Sequence, residues 1–154
     1  MTDNTTEIVE VYAANGVLIA TEDNRDLANT LAFGAYKVDT YFEEVLSNGI
    51  WFMGIEWSTD DRARLNLTSV ITTNSVGIPL PDNFKWNNRH GTSVAMNSTT
   101  LITFAGYMLQ YVNNVYEHSW DLKANIAACN SLVEFDAIDI YEGWPDNNVD
   151  GSMP

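Results

Sequence analysis

The residues whose types and spacing come nearest to a ligand-binding motif lie close to the last position of the chain. Residues 146–151 read DNNVDG. This matches the first half of a calcium-binding loop, which places oxygen ligands at alternate positions and a glycine at the sixth. The complete loop needs a bidentate Glu at its twelfth position, and the sequence stops at Pro154. We therefore predict a flexible acidic tail over residues 146–154 and no metal site.

Two histidines and one cysteine are the other candidates for catalysis or metal binding: His90, His118 and Cys129. A general base needs a positioned partner and a pocket, and no Ser–His–acid grouping or Gly-x-Ser-x-Gly motif is visible. No Gly-rich phosphate loop is present. Three unrelated nitrogen and sulfur ligands are too few for zinc. We predict no enzymatic activity, no cofactor and a small buried side chain at Cys129.

The charge balance excludes some partners. The chain carries 21 acidic and 7 basic residues, a net charge of −14. Such a surface repels nucleic acids and anionic membranes, and the scattered cations form no basic stripe. No apolar run has the length of about 20 residues that a bilayer requires. We predict no nucleic-acid binding and no membrane insertion. The acidic residues are explained by solubility, or alternatively by an acidic face that binds a basic partner or a metal ion.

The first part of the chain contains signals for a hairpin, two helices and a strand. Asn15-Gly16 between two β-prone runs predicts an N-terminal β-hairpin over residues 1–20, or a strand that pairs with another chain. A polar cap at Thr21 predicts a helix that has a break at Gly34 and ends at Asn48-Gly49. Residues 50–57 are predicted to form one strand. Ser58 or Thr59 should cap the next helix.

The second part is dominated by one long helix. After a loop over residues 72–82 and a second hairpin around residues 87–91, apolar residues recur at spacings of three and four from Asn97 to Ala128. That pattern predicts an amphipathic helix about 45 Å long. The predicted fold is α+β, with short antiparallel β-hairpins packed on a few helices and one long C-terminal amphipathic helix. A single domain should cover residues 21–145.

Aromatic residues are abundant, with five Trp, seven Tyr and six Phe. Trp51, Trp57 and Trp86 lie on predicted strands, where alternation buries one face. The remaining aromatics are harder to bury together in one small domain, and exposed aromatic patches usually mark interfaces. A sugar-binding platform is the alternative use of such rings. The predicted subunit-contact residues are Tyr12, Val17, Tyr116, Trp120 and Trp144.

The order of these motifs resembles an uncharacterised domain family found in tail fibre and tail-associated proteins of tailed bacteriophages and prophages. The resemblance covers roughly residues 25 to 145 and rests on Gly49, Phe52-Met53-Gly54, Thr59-Asp60, Trp86, Gly91-Thr92, Ile126-Ala127-Ala128 and Gly143-Trp144-Pro145. One departure is Gly106 within the long helix. It costs about 1 kcal/mol relative to Ala and is expected to mark a close helix–helix contact.

The resemblance implies a structural virion protein at the baseplate or tail fibre. Such a protein would be made in the cytoplasm of the host bacterium and would act by contact with other tail proteins, as a homo-oligomer or within a symmetric assembly. Two alternatives stay open: an assembly chaperone of the tail fibre that is absent from the mature virion, and a module that binds host glycans. The resemblance implies no catalytic residues.

Overall fold

A computed structural model of the chain describes residues 8–12, 14, 16 and 18–154, and the side chains of residues 14, 16 and 23–154. Within these residues, three two-stranded antiparallel sheets and four helices confirm the predicted α+β fold with a long C-terminal helix. The elements in chain order are β1 (Ile8–Tyr12), β2 (Leu18–Asp23), α1 (Leu27–Ser47), β3 (Ile50–Phe52), β4 (Ile55–Trp57), α2 (Asp61–Ser75), β5 (Lys85–Asn87), β6 (Ser93–Ala95), α3 (Ser98–Ala128) and α4 (Leu132–Asp136).

The chain divides into two compact units, Met1–Thr40 with Trp120–Glu142, and Tyr41–Ser119 with Gly143–Pro154. In the first unit, α1 is continuous through Gly34, so the predicted break there is wrong. A Cβ on Gly34 would overlap the ring of Phe135. The absence of a side chain at Gly34 therefore allows α4 to pack closely against α1. The residue itself remains helical.

Two helices begin later than the sequence predicts. Thr21 lies in β2, which pairs with β1 as far as Asp23, so the cap of α1 is Asp26. Its carboxylate accepts a hydrogen bond from the Asn29 N–H at 2.9 Å. The cap of α2 is Asp60, whose Oδ1 accepts from the Ala63 N–H at 2.8 Å. α2 then continues to Ser75, through the first residues of the predicted loop.

The segment predicted as one strand over residues 50–57 is a hairpin. Met53 and Gly54 have φ values of 55° and 68°, and positive φ at both central residues is what a type I′ turn requires. The chain therefore reverses, and Ile50 pairs with Trp57 while Phe52 pairs with Ile55. These four side chains share one face, which contributes to the core of the second unit together with α3. Trp57 is 1% exposed, and its ring centroid lies 5.0 Å from that of Phe104.

The long helix α3 spans the predicted residues, with Asn97 as its cap: the Thr100 N–H donates to Asn97 Oδ1 at 2.8 Å. Among the described residues the close contact predicted at Gly106 is absent, because a Cβ there would meet none of their atoms within 4 Å. Cys129, predicted as buried, is half-buried at the end of the helix.

Residues near Pro154 attach to the β3–β4 hairpin, where the sequence predicts a flexible tail. The Trp51 N–H donates to the Asn147 carbonyl oxygen at 2.8 Å, and the Met53 N–H donates to Asp150 Oδ2 at 2.8 Å. Ser152 Oγ accepts from the Gly54 N–H at 2.6 Å. A hairpin of two three-residue strands leaves edge and turn N–H groups without sheet partners, and these residues supply their acceptors.

We expect the Asp150→Ala variant to exchange its Met53 amide hydrogen about tenfold faster or more, because that amide loses a charge-assisted hydrogen bond.

Burial acts to raise the pKa of Asp150, but the hydrogen bonds from Met53 and Ser152 outweigh it and lower the pKa. A lowered folded pKa means that the attachment is strongest at neutral pH and is lost as the pH falls through that value.

Hydrogen-exchange NMR at two pH values measures both effects. Asp82→Ala, which removes an exposed carboxylate elsewhere in the same unit, is the control and should leave the Met53 rate unchanged. An unchanged Met53 rate in Asp150→Ala would show that the side-chain bond does not protect this amide.

Candidate functional site

The predicted contact residues differ in their surroundings in the described structure: one is exposed, two pack against other rings, and one lies outside the described residues. Val17 lies outside the described residues, and Tyr12 is in β1, at a register irregularity opposite Leu18. Trp120 is 57% exposed on α3. The aromatic ring of Tyr116 meets that of Phe42 edge-on, with centroids 4.8 Å apart. A role of these four residues in subunit contact stays a prediction.

Trp144, the fifth predicted contact residue, packs within the second unit. Its ring lies 5.5 Å from that of Tyr41 and 4.8 Å from that of His118. A Cβ on Gly143 would lie 2.9 Å from the His118 ring, so the glycine permits this packing. His118 is thus part of an aromatic cluster, and the contact role of Trp144 also stays a prediction.

His90 lies in the β5–β6 loop beside two charged residues. Its Nε2 is 2.7 Å from Glu56 Oε2, and Arg89 Nη1 donates to the other oxygen of the same carboxylate at 3.0 Å. The backbone N–H of Arg89 donates to the carbonyl oxygen of Glu56 at 3.0 Å. These bonds fasten the loop to β4, which is a structural use of the histidine.

The helices α2 and α3 run antiparallel in the second unit. Ser98 Oγ donates to Asn74 Oδ1 at 3.3 Å, which joins the end of α2 to the start of α3. Near the opposite end of α2, Arg64 and the α3 residue Tyr116 border the same pocket. Between the helices is an open apolar groove of about 370 Å³, lined by Arg64, Leu67, Thr68, Ile71, Thr72, Ala105, Met108, Leu109 and Val112.

Three large and mostly exposed apolar side chains lie on the same two helices, and one of them, Leu109, lines the groove. Leu65 is 68% exposed, Ile102 54% and Leu109 72%. Leu65 lies one helical turn from Thr68, and Ile102, Ala105 and Leu109 follow one another on α3 at the three- and four-residue spacing of one helix face. We call this surface the neutral face and define it as Leu65, Thr68, Thr72, Ile102, Ala105 and Leu109.

The neutral face is formed by chain segments that contain no charged residue. Residues 65–81 and 91–116 include no Asp, Glu, Lys or Arg, in a chain whose net charge is −14. Depletion of charge is the compositional mark of the centre of a protein–protein interface. The two charge-free segments are therefore the feature of the sequence from which this surface could have been predicted. The aromatic residues, on which the sequence prediction relied, gave a different set of positions.

The described residues also bear on metal sites and on membrane spans. No three His, Cys, Asp or Glu side chains are grouped as a metal ion would require in the part of the chain that the structure describes. Over the same residues, none of the helices combines the length and the apolar character of a bilayer-spanning helix.

Comparison with known proteins gives a family and no function. No curated protein and no solved structure matches this chain. A family model described as "Domain of unknown function (DUF4376)" matches residues 34–142, which include α2, α3 and all of the neutral face. With a match over more than half of its length, the chain belongs to the DUF4376 family.

Proposed function

We propose that this chain is a structural component of a bacteriophage tail, at the baseplate or tail fibre, and that copies of it meet through the neutral face. The order of sequence motifs described above supports the tail assignment. The observation that carries the mode of action is the exposed and partly apolar neutral face on α2 and α3, beside which the groove residue Arg64 is ion-paired with Asp61. An exposed apolar patch of a few hundred Å² is often a site of protein–protein contact.

A second copy of the chain is the occupant that fits this surface best. In a two-fold symmetric contact each residue near the axis meets its own counterpart, so every charge there meets a like charge. A chain of net charge −14 repels its copies over most of its surface, and an uncharged face is where that repulsion is weakest. A basic partner would instead be drawn to the carboxylates, away from the neutral face.

The dimensions of the face predict weak association. The 15 residues of α2 span about 22 Å. Two packed helices with axes about 10 Å apart are about 20 Å wide, so each copy would bury about 450 Å². A total near 900 Å² is below the standard size of a stable interface. We therefore expect association in the micromolar to millimolar range for the isolated chain, strengthened in a virion by multivalency.

Salt dependence separates self-association from binding to a basic partner. When the salt concentration rises from about 0.02 M to about 0.3 M, screening of the like-charge repulsion should strengthen self-association of this chain. Sedimentation velocity over a concentration series measures the change. A chain that stays monomeric at near-millimolar concentration in high salt would contradict self-association through the neutral face.

Mass spectrometry of purified virions tests the tail assignment itself. Detection of the chain in a fixed whole-number ratio to a major tail protein is the expected result. Absence from virions, with abundant chain in the infected-cell lysate, would overturn the structural role and favour the assembly chaperone. Neither outcome depends on the result of the sedimentation experiment.

A further inference from the structure

A second surface of the same unit is an open and mainly polar cleft. It lies between the start of α2 and strand β5 and has a volume of about 430 Å³. That volume is within the range of sites for small molecules. The cleft contains two cations, two amides, a carboxylate, a hydroxyl and an indole ring: Arg62, Lys85, Asn66, Asn87, Asp60, Ser58 and Trp86, with Ala63 beside them.

The two cations of the cleft differ from the other five of the chain. Arg25, Arg64, Arg89 and Lys123 each form an ion pair with an acidic side chain, and Lys37 lies 4.6 Å from the centre of the Phe33 ring. In the described part of the chain, the side chains of Arg62 and Lys85 have no ion-pair or hydrogen-bond partner. In a chain with 21 acidic residues, both cations without a partner line the same cleft.

Trp86 provides an apolar surface beside these cations. The residue is half-buried, and part of its ring packs against the core of the unit, 6.2 Å from the ring of Phe84. The same residue borders the cleft. An indole ring fixed by the core and open on another side is a rigid platform, and the C–H face of a sugar ring packs well against such a platform.

The other polar groups supply the hydrogen bonds that sugar hydroxyls need. Asn87 Oδ1 accepts a hydrogen bond from Ser93 Oγ at 2.7 Å, so its amide NH₂ is the group that can reach a ligand. Asp60 uses Oδ1 to cap α2 at 2.8 Å, which leaves Oδ2 as an acceptor. A hydroxyl group donates and accepts, so it satisfies both kinds of partner.

We propose that this cleft binds a carboxylated sugar. Arg62 and Lys85 hold the carboxylate, Trp86 stacks against the sugar ring, and Asn66, Asn87 and Asp60 bind the hydroxyls. A sugar with one carboxylate adds a single negative charge, whereas the phosphates of a nucleic acid would face the repulsion of the whole chain. The Asp60 carboxylate needs a hydrogen-bond donor, which a sugar hydroxyl supplies and a simple inorganic anion lacks. This site is separate from the neutral face and does not depend on the tail assignment.

Titration of the full chain with methyl β-D-glucuronide, followed by NMR at the indole N–H of Trp86, tests the proposal. We expect a saturable shift of that signal, with neutral methyl β-D-glucoside binding about tenfold more weakly, because it lacks the carboxylate for the two cations. Equal binding of the two sugars would overturn the acidic class of ligand. The same shift with sodium acetate at matched concentration would show binding of any small carboxylate and would overturn the sugar.

Substitutions of the two cations locate the site. Arg62 and Lys85 are exposed, so Arg62→Gln with Lys85→Gln should leave the fold intact and raise the Kd for the glucuronide about tenfold. Lys37→Gln removes the same kind of charge from the first unit and should change the Kd less than about twofold. An unchanged Kd in the double variant would refute the assignment. If the chain is monomeric but still binds the glucuronide, the proposed self-association is wrong and the sugar site stands.

Discussion

Replacement of Gly49 by alanine should lower the free energy of unfolding by about 3 kcal/mol or more, and the melting temperature by about 6–12 °C. Gly49 joins α1 to β3 with a φ of +73°, and a Cβ there would overlap the backbone carbonyl oxygen of Trp57. The positive φ alone costs an alanine about 1–2 kcal/mol. The overlap adds to this cost, because a backbone carbonyl in a paired strand cannot rotate away.

Two other glycines separate these contributions in urea denaturation. Gly77 has a φ of +87° with no atom within 4 Å of an added Cβ, so Gly77→Ala should show the cost of the dihedral angle alone. Gly106 is helical and equally open, so Gly106→Ala should stabilise the chain by about 0.5–1 kcal/mol. Equal destabilisation by Gly49→Ala and Gly77→Ala would contradict the overlap with Trp57.

Replacement of Leu109 by aspartate should weaken self-association of the chain by about thirtyfold or more. Leu109 is 72% exposed at the rim of the groove, so the monomer should tolerate the change. In a symmetric contact through the neutral face, the substitution places a carboxylate in an apolar interface close to its own counterpart. A loss of about 2 kcal/mol or more is what disruption of a central hot-spot residue of an interface produces.

Val133→Asp is the matched control for this substitution. Val133 is 80% exposed on α4, in the other unit, and the change introduces the same charge. It should alter the dissociation constant only through the added net charge, an effect that salt removes. Sedimentation velocity at high salt therefore isolates the neutral face. Equal weakening by the two substitutions, or none by Leu109→Asp, would contradict its role.

The prediction for residues 50–57 failed for a specific physical reason. Alternation of side chains in a strand and pairing across a tight hairpin both produce short runs of apolar residues, so periodicity does not separate them. The usual sequence signal is a turn pair such as Asn-Gly. Here the first turn residue is Met53 with a φ of 55°, a conformation that a methionine rarely adopts. The hairpin conformation is stabilised by the buried side chains of Ile50, Phe52 and Trp57, with Ile55 partly buried against them.

The predicted start of α1 at Thr21 was wrong, because strand pairing with a distant segment competes with the local helix signal. The polar run Thr21-Glu22-Asp23-Asn24 has the composition of a helix N-terminus. Backbone pairing with β1 keeps Thr21, Glu22 and Asp23 in a strand, and the cap moves to Asp26. Helix propensity is a weak preference that tertiary pairing overrides.

The sequence by itself determined the α+β class, the long helix α3 and the glycine that ends α1. A 3.6-residue apolar period over 31 residues and a C-terminal glycine are local signals that need no distant partner. The charge-free segments 65–81 and 91–116 are equally local.

Only the tertiary structure decided that these two segments face the same groove, and that Arg62, Lys85 and Trp86 meet at one cleft. Residues far apart in sequence reach a common surface through helix pairing and strand reversal. Such contacts depend on long-range packing, which no short window of sequence encodes.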